Sequence, residues 1–344
     1  MSARPAGPHG PERSAAAPRD GAQAGGRARA RGLLAAGALV AGLACAAAPP
    51  AGAQVVVMAP VSEYYAWTYH ADFDSTYETN TAIDGGGAFD VLRFRGAIGG
   101  GGPISRPVRL YLDAAYAHTA YDFGSPLTTG CLSAAACFRG SPWNDVHTVD
   151  VAPGASLVLN DAVHVQVLVP IRWQAESGGD RTGVTAGVIG MVRFRIAERF
   201  VTGLGVGVQS ELEEDARVFP VIALDWRISD HVQLATRGGP YQGGVVDLLF
   251  GPPDGVQAKL SSGWVRQRFR LTNALPNPDG VGQYSSVPVL AGFRLRLGQR
   301  GYLDLEGGVA VAGRLRIENA WGFLLRAEDF DTAGLVRGGF RLEF

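Results

Sequence analysis

Residues 163–174 read Val163-His164-Val165-Gln166-Val167-Leu168-Val169-Pro170-Ile171-Arg172-Trp173-Gln174. Every odd position is apolar, and every even one except Leu168 and Pro170 is polar. Successive side chains of a strand point to opposite faces, so this spacing describes a long strand with one greasy and one wet side. The pattern recurs. Val184, Ala186, Val188, Val192, Phe194 and Ile196 alternate with Thr185, Gly187, Met191, Arg193 and Arg195. Leu303, Leu305, Val309, Val311 and Leu315 alternate with Asp304, Glu306, Ala310, Arg314 and Arg316. No stretch beyond residue 61 carries a helical period.

The connections sharpen the reading. Leu159 to Val163, Ile196 to Phe200, Ile228 to Val232 and Leu297 to Gly301 are each joined by three residues that keep the apolar faces in register. The last of these hairpins sets Arg294 opposite Asp304 and Leu295 opposite Leu303, which is the pairing a sheet needs on its two faces. Longer polar connections fall at 76–86, 122–145, 177–182, 212–217, 272–283 and 317–332. Short and long connections therefore alternate, as in transmembrane barrels with short periplasmic turns and long external loops. A soluble sandwich would carry Lys, Glu, Thr and Ser in bulk on its outer face. Here one face is Val, Leu, Ile, Phe and Trp, the other Gly, Ala, Arg, Asp and Gln, and the strands exceed the usual soluble length.

The expected strands are 61–75, 87–98, 106–121, 144–159, 162–176, 182–196, 199–211, 217–228, 231–237, 243–250, 257–271, 284–297, 301–316 and 333–344, fourteen in all. Stretch 237–271 is the weak part. Glycines and prolines interrupt it, and Gln257, Lys259 and Ser261 are expected on the lipid side; if it is partly loop, the count is twelve. Either even number puts both ends of the barrel in the periplasm.

Composition agrees. Charged residues are only 18% of the 344, and hydrophobic ones 47%, which argues against a disordered chain. No apolar run beyond residue 53 is long enough for a spanning helix. Residues 1–53 hold six Arg against Glu12 and Asp20, a charge of +4, so the total of −1 leaves −5 for the rest. Nothing there invites nucleic acid. Leu33 to Ala48 is an apolar run of sixteen, followed by Pro49-Pro50 and Ala51-Gly52-Ala53. A basic start, a short apolar core and small residues Ala51 and Ala53 describe a secretory signal peptide over 1–53, leaving a mature barrel at 54–344. Leu43 lies too close to Cys45 for a good lipidation site.

The chain ends Arg337-Gly338-Gly339-Phe340-Arg341-Leu342-Glu343-Phe344. Arg337, Gly339, Leu342 and Phe344 occupy the polar, glycine, hydrophobic and terminal aromatic positions of a motif that resembles the assembly signal of bacterial outer-membrane β-barrel proteins. Together with the leader and about 280 residues of alternation, the resemblance covers the architecture of the mature chain. It implies a closed antiparallel all-β barrel in the outer membrane of a Gram-negative bacterium. It also implies lipid around the barrel and recognition by the barrel assembly machinery. The nearest likeness is to outer-membrane barrel families of unknown function.

Several residues are candidates for function. Cys131 and Cys137 would be the only cysteines of the mature chain, in an oxidising compartment, and are expected to form a disulfide in the longest loop. Arg93, Arg95, Arg193, Arg195, Arg294 and Arg296 face inward with Asp304 and Glu306. They are expected, with Arg109, Arg227 and Arg341, near the periplasmic ends of their strands. Such charges either bias a pore towards anions or brace the lumen as a paired network. Tyr64, Tyr65, Trp67, Tyr69, Trp143, Trp173, Trp226, Trp264 and Trp321 read as an interfacial girdle. Ala320 to Leu325 is unusually apolar for a loop and either extends the last hairpin or folds inward. Gly203, Gly205 and Gly207 share one strand face with no helix after them, so they are small lumen residues and not a dinucleotide loop. His70, His118, His147, His164 and His231 are scattered, and no hydrolase, metal or phosphate motif is present. The first functional reading is a passive pore or channel for small solutes with an Arg- and acid-lined lumen. The alternative is a plugged structural or surface-interaction barrel working through its loops. A membrane-embedded enzyme comes last, and no cofactor is expected.

Overall fold

The structure, a computed structural model, describes residues 66–84, 87–124, 141–179, 183–237, 243–272 and 278–344. Ala51, Ala53, Tyr64, Tyr65, Cys131 and Cys137 lie outside these residues. In chain order the strands are β1 (Thr68–Ala82), β2 (Ala88–Pro103), β3 (Val108–Phe123), β4 (Val146–Asn160), β5 (Val163–Leu168), β6 (Ile171–Glu176), β7 (Val184–Ala197), β8 (Phe200–Glu211) and β9 (Glu214–Ser229). They continue with β10 (Val232–Arg237), β11 (Val245–Phe250), β12 (Val256–Gly263), β13 (Val265–Arg270), β14 (Val281–Arg296), β15 (Gly301–Glu318), β16 (Leu324–Phe330) and β17 (Ala333–Glu343). Three of the wall's staves are broken: β5 from β6 at Val169-Pro170, β12 from β13 at Trp264, and β16 from β17 at Asp331-Thr332. With each broken pair counted as one, the wall has fourteen antiparallel staves. The seam closes where β1 pairs with β17, from His70 opposite Glu343 to Thr79 opposite Gly334.

The expected register holds at the last short turn: Arg294 stands opposite Asp304 and Leu295 opposite Leu303. Short turns cap one end of the barrel. At one of them the Asn160 side-chain oxygen accepts the amides of Ala162 and Val163, both at 2.9 Å, a local closure of the turn. That end, where β1 begins and β17 stops, is the periplasmic one in barrels of this kind.

The strands outrun the apolar band. β1 starts at Thr68, seven residues after its expected start, and runs on through polar residues to Ala82. Its ladder to β2 persists there, with Thr76 opposite Arg93. Above the membrane a strand needs no greasy face, so the alternation that betrays it lower down fades while the hydrogen bonds continue.

Two side-chain assignments reverse. Gln257, Lys259 and Ser261 point inward and are buried, with Lys259 only 1% exposed. Val256 beside them is 55% exposed on the outside. The second reversal lies in β15. Ala312 adopts a φ of 52°, and the ladder to β14 slips between Ser285 and Val287. This bulge inserts one residue and exchanges the faces beyond it. Leu315 and Ile317 therefore turn into the barrel and are buried. Arg314 turns outward and meets Asp329 at 3.4 Å on the surface.

The outer face carries exposed Leu110, Leu112, Val188, Leu204, Ile222, Phe293, Leu305, Val336 and Phe340, from β3 around to β17. An apolar belt on every side would drive aggregation in water but matches lipid. Closure leaves no unpaired edge in that belt, the condition for a sheet to cross a bilayer.

Candidate functional site in the barrel lumen

Every second residue of a closed wall faces in, and several of these inward residues are charged and paired. Arg294 donates to Asp304 through Nε at 2.8 Å and Nη2 at 2.9 Å. Lys259 bridges Asp304 at 2.6 Å and Glu306 at 2.9 Å. Ser261 ties Glu306 to Asp247, and Asp247 pairs with Arg237. Elsewhere Arg341 pairs with Asp72 across the seam, Arg95 meets Asp74 at 3.7 Å, and Arg172 meets Asp150 at 2.7 Å. These links join adjacent staves or next neighbours along the wall. Arg237 reaches furthest, to Asp304 at 3.6 Å. Buried charges need partners, and here each finds one sideways.

Of the other inward arginines, Arg193 is buried opposite His164, and Arg195 lies one turn from the periplasmic rim. Arg296 hangs on the carbonyls of its own turn, Gly298 and Gln299. Arg93 departs from expectation. It sits in the upper part of β2, opposite Thr119, and donates to Gln267 of β13 at 3.2 Å.

The external half is filled. Phe89, Tyr121, Phe123, Trp143, Phe269, Tyr284, Leu315, Ile317 and Phe330 form a buried cluster inside the wall. Trp143 meets Tyr121 and Phe123 edge-on, each at 5.7 Å between centroids, and Phe269 at 5.2 Å. It is 1% exposed, so it belongs to this core and not to an interfacial girdle. Trp67, Tyr69 and Trp226 do face outward and are exposed. A polar layer underlies the cluster: the Tyr284 hydroxyl donates to Glu78 at 2.6 Å, and the Tyr121 hydroxyl to Gln267 at 3.0 Å.

β13 organises this end. β12 lies between β11 and β14 in the wall. Beyond Trp264 the chain keeps β14 on one edge, but its other edge meets β6, with Arg270 beside Ala175 in parallel. β6 belongs to the fifth stave and β13 to the eleventh of fourteen, so β13 crosses the mouth almost along a diameter. The departure point is built from close backbone contact. A Cβ on Gly263 would lie 2.3 Å from the Gly244 carbonyl oxygen, so only glycine fits there.

Sequence reasoning missed the residues that hold β13 in place. Arg266, Arg268 and Arg270 recur at a spacing of two and so share one face. Arg266 grips both oxygens of Glu211 at 2.6 and 2.8 Å. Arg268 bonds Glu318 at 2.5 Å, Glu214 at 3.0 Å and the Leu212 carbonyl at 2.6 Å. Arg270 bonds Glu213 at 2.5 Å. Three of the four carboxylates cap the β8–β9 hairpin and the fourth ends β15. The alternating arginines were visible in the sequence, but their partners lie about fifty residues away on either side.

The remaining candidates scatter. Leu342 and Phe344 of the C-terminal motif face outward, and Arg337 and Gly339 inward. Trp321 is 79% exposed at the tip of the β15–β16 hairpin, so the apolar 320–325 segment extends that hairpin. His70 lies near Asp113 at 3.2 Å, His118 and His147 pair on the outer face, and His231 sits in a turn. Among the described residues no group of three or more His, Cys, Asp or Glu is placed to hold a metal ion.

No family model and no curated protein matches the chain. Solved structures resemble it in architecture. An outer-membrane channel from Pseudomonas putida F1 aligns at 9% identity and a TM-score of 0.42, over 84% of this chain and all of that one. The Pseudomonas putida toluene transporter TodX aligns at 7% and 0.41, over 85% and 95%. The translocator domain of the autotransporter NalP from Neisseria meningitidis aligns at 9% and 0.33, over 92% and 97%. At such identities the likeness is one of barrel shape. The closed wall and its apolar outer face decide the class. This chain is a transmembrane β-barrel of the outer-membrane type. The buried aromatic cluster lies towards the barrel's external end, and the pairs of Lys259 and Arg294 with Asp304 lie towards the other.

Proposed function

We propose that this barrel is a passive channel for small solutes, with the paired arginines, Lys259 and acids as the lining of its periplasmic half. One observation supports the reading: among the described residues, the inward ion pairs below β13 run along the wall, between adjacent or next-neighbour staves, and not across the bore. Lateral pairing satisfies each charge and leaves a polar, water-compatible lining. The outer-membrane channels of similar shape agree with this reading without arguing for any particular solute.

The aromatic cluster favours a second reading, a permanently closed barrel that acts through its external surface. Conductance separates the two. The full chain, isolated from outer membranes and shown to be folded by heat-dependent gel migration, is placed in a planar bilayer under a salt gradient. The channel reading expects discrete current steps, with a reversal potential whose sign reports whether arginines or acids dominate. Silence in both the native barrel and variants with a loosened mouth would leave the closed-barrel reading in its place.

A further inference from the structure

We propose that β13 is a gate across the external mouth, and that Arg266, Arg268 and Arg270 with Glu211, Glu213, Glu214 and Glu318 form its latch. The inference rests on the channel reading for its purpose, though not for its geometry. Three observations carry it.

β13 is attached to the mouth differently from the way the staves are attached to one another. Each stave below shares a ladder with both neighbours. β13 has a full ladder only with β14, six residue pairs from Val265–Ser286 to Arg270–Val281. Towards β6 it has the single Arg270–Ala175 pair, with a further isolated bridge from Thr272 to Gly179. Side chains supply the rest of the hold on that side. The Glu176 carboxylate accepts the Thr272 amide at 3.0 Å, and the arginine face meets the carboxylates described above. A segment held at one edge mainly by side chains releases there without breaking the wall's ladder.

The latch is electrostatic and partly wetted. The side chains of Arg266 and Glu211 are 19% and 12% exposed and those of Glu213 and Glu214 are 29% and 35% exposed, whereas Arg268, Arg270 and Glu318 are buried. The more exposed pairs, those of Glu213 and Glu214, weaken as salt rises, the buried Arg268–Glu318 pair much less, and all of them weaken when either partner is neutralised. Three arginines are set against four acids. They concentrate where, among the described residues, the chain crosses the bore.

What lies beneath the gate suits a passage. The other face of β13 presents Gln267 and Phe269 to the bore, and Phe269 packs on Trp143. On the opposite wall Thr148 and Gln174 stand directly opposite each other, buried and inward-facing. The Thr148 hydroxyl and the Gln174 side-chain amide group have no hydrogen-bond partner among the described residues. They are polar groups that an entering solute or water would meet first once β13 swings aside.

The test pairs two readouts. A cysteine at Thr148 (T148C) reports access from outside, using a membrane-impermeant thiol reagent on intact cells, with the parent chain subtracted to remove labelling of Cys131 and Cys137. Bilayer conductance reports transport. Both are measured with the latch intact, with R268Q/R270Q, and with E213Q/E214Q, which loosens the same latch from the exposed hairpin tip and does not alter β13. Either latch variant is expected to raise T148C labelling and the open fraction by roughly 5- to 30-fold, the shift that one to two kcal/mol produces. High salt is expected to act on the intact latch in the same direction. Enhanced labelling with no current upholds the gate and overturns the channel reading. Current steps in the intact protein, with labelling and open fraction unchanged in both folded variants, overturn the gate and leave the channel reading standing.

Discussion

Lys259 and Asp304 meet at 2.6 Å inside the barrel, and this sole lysine of the chain is the hub of a charged cluster drawn from five strands. Its removal by K259M leaves Glu306 without its closest cation. Breaking a buried pair by deleting one partner costs about 3–5 kcal/mol. The denaturant midpoint of the refolded barrel should fall accordingly. The double variant K259M/E306L, which removes both charges, should recover most of the loss. Equal midpoints for K259M and the native barrel would show that the cluster does not brace the wall.

Ala312 offers a sharper probe of the bulge. A non-glycine residue at a φ of 52° carries strain that glycine lacks, so A312G should stabilise the barrel by about 1 kcal/mol. A312V should destabilise it by more. If both variants unfold at the native midpoint, the face exchange above Ala312 is not fixed by this residue.

The Tyr284 hydroxyl gives the Glu78 carboxylate its hydrogen bond inside the barrel. Y284F removes the donor and keeps the ring against Phe330. An unmet buried acceptor costs about 1–3 kcal/mol, and the variant should lose stability in that range. Y284F combined with E78L should lie closer to native, a pattern that equilibrium unfolding of the three chains checks.

Phe344 faces outward at the end of the last stave and is exposed there. If the C-terminal motif addresses the assembly machinery, F344A should lower the folded, heat-modifiable fraction in outer membranes while leaving in-vitro refolding into detergent nearly unchanged. Equal loss in both settings would assign Phe344 to stability alone.

Cys131 and Cys137 are proposed to be joined. Mass measurement before and after reduction and alkylation of the isolated chain decides this: alkylation without prior reduction should leave both sulfurs unmodified.

How much of this was legible beforehand follows from where the information lies. The Arg294–Asp304 register is written within eleven consecutive residues and a tight turn, and the sequence alone places it. The inward aim of Lys259 depends on Asp304 and Glu306, more than forty positions away. A lone lysine in a glycine-bounded stretch gives no local hint of them. Alanine at 312 likewise carries no mark of a bulge, because the slip is demanded by the ladder on both sides. Trp143 looked interfacial because tryptophans in barrels commonly are; its place is set by Phe269, which only a strand crossing the bore brings near. The latch arginines stood in plain alternation, but a period of two says which residues share a face and not where the strand goes.

The β1–β17 seam has its own consequence. Asp72 and Arg341, which face each other there, are 269 positions apart in the chain. Each hairpin elsewhere closes a short loop, whereas this one encloses nearly the whole barrel, at an entropic cost of about 5 kcal/mol by the logarithmic law. No covalent neighbour helps it. The ring must therefore shut last, after its hairpins have formed, and the first and last strands remain open edges until then. A circularly permuted chain that joins residue 344 to residue 66 and opens at the 198–199 turn would move that late step to the β7–β8 boundary. Its folding order, not its final shape, would change.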